Sequence, residues 1–148
     1  MATQLLDSPL NTPDADVFDG WMRPGAPLDD APVRQADGSA AWSLAQFGQG
    51  FVLLHFGLPG AAALKAIDAL ACEAIPVRAL VVLPAGEQAP RGATGLIDSE
   101  GLAARRCDAR WGTCYLIRPD QHVAARWRRF DGEAVRAALA RATQQETA

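Results

Sequence analysis

The sequence predicts an α/β domain: a central mixed sheet flanked by helices. Two observations carry that prediction. A nearly all-apolar run, Phe51–Phe56, passes through a Gly/Pro turn into a helix-like segment and then into a second apolar run, Val77–Leu83. Apolar runs joined by a helical crossover are what a buried parallel strand pair requires. Later, Cys114–Arg118, Pro-Asp and Gln121–Arg128 read as strand, turn and strand, closed by an amphipathic helix. At 148 residues, 49% of them hydrophobic, the chain can bury one core without disulfide or metal staples.

Residues 1–30 read as a Pro-rich acidic arm or linker and residues 31–148 as the domain. Pro9, Pro13, Pro24, Pro27 and Pro32 fall at the start of the chain, a density that denies both helix and ladder hydrogen bonds. Such a segment has little apolar surface to bury, so it is expected to stay off the core. Val33–Gln35 and Ser39–Trp42 flank Ala36-Asp37-Gly38, a hairpin turn. Ser43-Leu44-Ala45-Gln46 has the form of a capping box, with Gly48 as the stop.

After the turn at Gly57–Gly60, Leu64, Ile67, Leu70, Ala71 and Ala74 share one face of a helix that ends before Pro76. Pro84–Gly92 reads as a loop, and Asp98 or Ser99 as the cap of a short helix through Glu100–Cys107. Pro119 and Asp120 suit a tight turn. Asp131 caps the last helix, in which Val135, Ala138, Leu139 and Ala142 share a face. A βαβ unit, then a hairpin, then a helix is the order of the thioredoxin fold.

In that fold the redox pair lies in the turn after the first central strand, where a helix N-terminus acidifies the thiolate. Here the turn is Gly57-Leu58-Pro59-Gly60 and holds no thiol. Just before Cys114–Arg118, where redox members carry a cis-proline, this chain has Trp111-Gly112-Thr113. The three cysteines, Cys72, Cys107 and Cys114, lie elsewhere and form no CxxC; an odd, unpaired set fits a reducing, cytoplasmic setting. His55 reads as a core histidine satisfied by a hydrogen bond and His122 as a surface residue after a turn. Together with the scattered cysteines they make no zinc spacing. No catalytic, cofactor-binding or metal-binding residue is assigned. MATQLLDSPL, with no basic or apolar region, does not read as a signal peptide, and no apolar run is long enough to span a bilayer.

A net charge of −3 argues against nucleic acid. The cationic residues nonetheless concentrate late in the chain, around ARWRRF at 125–130. In strand geometry Arg126 and Arg128 point one way, and Val123, Ala125 and Trp127 the other, towards the core. With Arg118 beside them, the two arginines form a candidate interaction face. Guanidinium groups so close together call for carboxylates, from the acidic arm or from another subunit.

The segments SPLNTPDADVF, MRPGAPLDDAPV, FVLLHFG and above all YLIRPDQHVAARWRRF resemble the C-terminal region of FAD-dependent aromatic-ring hydroxylases, the phenol-hydroxylase-like flavoprotein monooxygenases. The resemblance runs from about Ser8 to Thr143. It implies a thioredoxin-like domain without redox cysteines that follows FAD and substrate domains. Many relatives have Gly where this chain has Gln121, a position that a three-residue hairpin holds in the left-handed region. The family's flavin- and NAD(P)H-binding motifs belong to the upstream domains, so FAD and NAD(P)H are expected only in the full-length enzymes.

The expected function is a non-catalytic accessory domain, whose partner is a second copy or an FAD-dependent hydroxylase and neither nucleic acid nor a membrane. The alternatives are an atypical thiol oxidoreductase using Cys107 or Cys114, and a small-molecule binder using the pocket at the vacant redox position.

Overall fold

The structure, a computed structural model, describes residues 6, 8–88 and 94–143. In chain order the elements are β1 (Pro32–Arg34), β2 (Ala40–Trp42), β3 (Phe51–Phe56), α1 (Ala61–Ala69), β4 (Val77–Pro84), β5 (Gly95–Asp98), α2 (Leu102–Arg106), β6 (Cys114–Ile117), β7 (Val123–Trp127) and α3 (Gly132–Thr143). The strands form one sheet in the order β2-β1-β5-β4-β3-β6-β7. β3 pairs parallel with β4 and antiparallel with β6, and β6 pairs antiparallel with β7. These four strands with α1 and α3 are the thioredoxin-fold core predicted from the sequence.

β5 was not predicted. Gly95-Leu96-Ile97-Asp98 is too short to show a period, yet it pairs parallel with β4 and joins the β1–β2 hairpin to the sheet through Arg34↔Ile97. The loop read over Pro84–Gly92 is described only as far as Gln88.

Alternation along β3 divides the interior into two layers. Val52, Leu54 and Phe56 face a layer with Tyr115, Ile117, Leu80 and Val82, while Phe51 and Leu53 face another with Cys114, Leu116, Ala125 and Trp127. Ile67 next to α1's C-terminal turn, and Val135, Ala138 and Leu139 of α3, close the second layer. Ala71 and Ala74, placed on the buried face by periodicity, are exposed, because the helix tightens into a 3-10 turn at Leu70–Cys72. Asp131 caps α3 as expected, its carboxylate accepting from the Glu133 and Ala134 N–H groups.

Among the described residues the first layer has short helical cover, the five-residue α2 and a 3-10 turn at Leu44–Gln46. The arm supplies the rest. Met22 is 2% exposed and Leu28 7%, both in one cluster with Val33, Phe47 and Cys107. The expectation that this stretch stays off the core therefore fails: Met22 and Leu28 are placed where an α/β sheet would otherwise leave a face open to water. Its backbone also covers the free edge of β7. Gly25 N–H donates to Val123 O, Val123 N–H to Ala26 O, Leu28 N–H to Gln121 O and Thr12 N–H to Ala124 O. A covered edge cannot template pairing with another chain.

Two local readings change. Ser43 makes no cap; its hydroxyl instead donates to the Asp30 carboxylate and accepts from Ala31 N–H. In β7 the register shifts between Leu116 and Ile117, which pair with Ala125 and Val123. The intervening Ala124 is an extra residue, a β-bulge. Val123 accordingly faces the first layer, whereas Ala125 and Trp127 face the second.

Replacing Met22 by Ala is expected to cost about 2–4 kcal/mol, the range for truncating a buried side chain. Urea unfolding monitored by circular dichroism checks this, and a change within experimental scatter would return the arm to the surface.

Candidate functional site

The Gly57–Gly60 turn lies between β3 and α1, at the carboxyl end of a central strand, where α/β folds place chemistry. Gly57 has φ +93°, and its N–H donates to Val82 O at 2.9 Å. A Cβ there would stand 2.5 Å from the Trp111 ring, so the indole lies directly on the glycine. Trp111 is held by its neighbours: Gly112 N–H donates to Phe56 O, Phe56 N–H to Thr113 O, and Arg110 N–H to the Thr113 hydroxyl. The segment Trp111–Thr113 thus borders the turn, with an indole against Gly57.

None of the three sulfur atoms belongs to this turn. Cys107 packs in the first layer and Cys114 in the second, on opposite sides of the sheet, and Cys72 is exposed at the end of the α1 segment. Burial pushes the Cys107 and Cys114 thiols up to about 12, so neither supplies thiolate at neutral pH. His55 is buried, with Nδ1 2.8 Å from Gly57 O, the satisfied core histidine that the sequence suggested. Assigning the proton to Nδ1 makes it the donor.

The three arginines of the candidate interaction face separate. Arg118 turns to Asp120, two residues on, at 2.9 Å. Arg126 is only 4% exposed, and Asp14 of the arm grips it through both carboxylate oxygens, with Nη2–Oδ2 at 2.7 Å. Arg128 pairs with Asp108 at 2.6 Å, and its backbone N–H donates to Asp16. The Phe18 ring lies under both guanidinium groups, 4.4 Å from Arg126 and 3.8 Å from Arg128, and meets Tyr115 edge-on. The carboxylates that this charge required come from the same chain, Asp14 of the arm for Arg126 and Asp108 for Arg128, so the two arginines are an internal clasp.

A constant offset runs through the clasp: Thr12 meets Ala124, Asp14 meets Arg126 and Asp16 meets Arg128. Acidic and basic residues both recur at every second position, an alternation visible in PDAD and ARWR. Phe18 and Trp111 gave no such signal.

These features define a class: a thioredoxin-like domain with no dithiol at the redox position. The chain belongs to the family described as the HcaD C-terminal domain, whose model matches residues 29–142. Among solved structures it is similar to the flavin-dependent monooxygenase PieE in complex with FAD and substrate, at 22% identity and TM-score 0.66, over 92% of this chain and 24% of that one. It is similar also to aklavinone-11 hydroxylase in a ternary complex with FAD and aklavinone, at 26% identity and TM-score 0.69, over 93% and 26%.

A putative thiol:disulfide interchange protein DsbE from Chlorobium tepidum shares the fold at 18% identity and TM-score 0.62, over 85% and 99%. No protein of curated function matches by sequence. The chain spans about a quarter of the length of the two monooxygenases. The relation read from the sequence, to the C-terminal thioredoxin-like domain of FAD-dependent hydroxylases, holds.

Two outcomes follow from the site. Asp14→Ala leaves a buried guanidinium unpaired and is expected to cost about 2–3 kcal/mol, somewhat below a fully buried pair because Asp14 keeps some solvent contact. Adding Arg126→Met should recover most of that loss, since an apolar replacement removes the stranded charge. Chemical denaturation of the single and double variants checks both.

Burial drives the His55 imidazole below its ordinary 6.5, so the folded state keeps it neutral. Its contribution is complete above the unfolded value and is lost as pH falls from there towards the lowered folded value. Melting curves between pH ~7.5 and ~5 should show a decline that His55→Gln reduces.

Proposed function

We propose that this domain is a non-catalytic accessory module of the kind carried by FAD-dependent aromatic hydroxylases, and that it acts by association, with a flavoprotein hydroxylase or with a second copy. One observation carries the reading: the turn that holds the dithiol in redox members holds Gly57-Leu58-Pro59-Gly60 under Trp111, while the buried sulfur atoms are divided between the two layers. Flavin and nicotinamide chemistry then belongs to the partner, and the unpaired cysteines suit a cytoplasmic setting.

With Arg126 and Arg128 used internally, the surface for association is sought elsewhere. Trp21, 71% exposed, lines a cleft of about 600 Å³ with Arg105, Arg106, Asp29 and Asp30. Trp and Arg are the residue types that anchor interfaces.

The test combines molar mass by light scattering with a binding titration against an FAD-dependent aromatic hydroxylase that lacks this region. Self-association or binding is expected, and Trp21→Ala with Arg105→Glu should weaken it about tenfold at unchanged melting temperature. A monomer that binds no such flavoprotein overturns the proposal. So does disulfide-reductase activity that disappears in Cys114→Ser.

A further inference from the structure

Beside the vacant turn, the carboxyl ends of β3, β4 and β5 border a groove of about 410 Å³. Phe56, Val82, Leu83, Ala104 and Ala109 line it, and Trp111 forms one wall. We propose that this groove is a binding site for a neutral, planar, largely apolar small molecule stacked on the Trp111 indole.

Three observations point to that class. The volume falls among those of small-molecule sites, roughly 300–1,000 Å³, and the groove lies at the strand ends where open α/β sheets receive ligands. That size suits a molecule of two or three fused rings better than a peptide.

The wall is rigid and flat. The main chain at Gly57 backs the indole, leaving no room even for a methyl group between them, while Trp111 as a whole remains 57% exposed. An aromatic slab fixed on one side and open on the other favours an offset-stacked planar partner.

Charges of both signs border the groove. Glu100 and Arg110, of opposite sign, both line the groove, and both oxygens of the buried Asp98 accept the Ala103 and Ala104 N–H groups at the start of α2. An ion of either sign entering the groove would lose hydration and meet a like charge as well as an opposite one. A neutral molecule avoids that cost and displaces water from apolar walls that bond it poorly.

The test uses a neutral naphthol, with naphthoate and naphthylmethylamine as its anionic and cationic counterparts, titrated into the isotopically labelled full chain. Saturable amide shifts are expected at Gly57, Ala85, Gly101 and Ala104, strongest for the naphthol. Trp111→Ala should weaken binding about tenfold. Ala85→Phe, which fills the mouth from an exposed loop position without touching the core, should abolish it. Absent or non-saturable shifts, or binding unchanged in both variants, overturn the site. Tighter binding of either ion overturns the assigned class.

Discussion

The Asp14–Arg126 clasp is the interaction on which the first layer of this molecule depends. A guanidinium 4% exposed in the middle of a strand is intolerable without a partner. Burial alone would draw the Arg126 proton away, but hydrogen bonds from the guanidinium to Asp14 and Tyr115 hold its pKa above the usual value. That requirement ties the acidic arm to the sheet more firmly than its modest apolar content could. Once Asp14 is seated, Phe18 lies between the two guanidinium groups and Tyr115, and the chain leads on to Met22 and Leu28.

Asymmetry between the faces explains why the arm matters. α1 and α3 cover one side in the ordinary way. The other side has a helix of one and a half turns, so an extended Pro-rich segment does the work of a helix, satisfying its own backbone against the edge of β7 and against water. Its prolines keep it from coiling, and its alternating aspartates keep it in register. A segment that looks disordered by composition is thereby ordered by two charges on the surface it crosses.

The turn at Gly57–Gly60 shows the opposite economy. Gly57 has given up its side chain to let an indole approach, and His55, bonded to the Gly57 carbonyl, braces the same turn from within the strand. The space at this turn is shaped around an aromatic wall. The left-handed Gln121, at φ +66°, shows that such substitutions are tolerated when compensated: its side chain donates to Leu44 O and offsets part of the strain that a glycine would avoid.

The sequence by itself determined the elements whose signals are local. The all-apolar β3, the Asp37-Gly38 hairpin, the Asp131 cap and the Pro119-Asp120-Gln121 turn each rest on side chains acting within a few residues, and so does the absence of a thiol at Gly57–Gly60. The thioredoxin-like order follows from those elements. The tertiary structure alone decided where the arm goes, because its seat is set by pairing across more than a hundred residues, with Asp14 against Arg126 and Asp16 against Arg128. It alone decided β5, too short to carry a period; the bulge at Ala124, which redirects Val123; and the contact of Trp111 with Gly57. Those features arise from which surfaces meet, and a linear pattern records a residue's own preference but not what will lie against it.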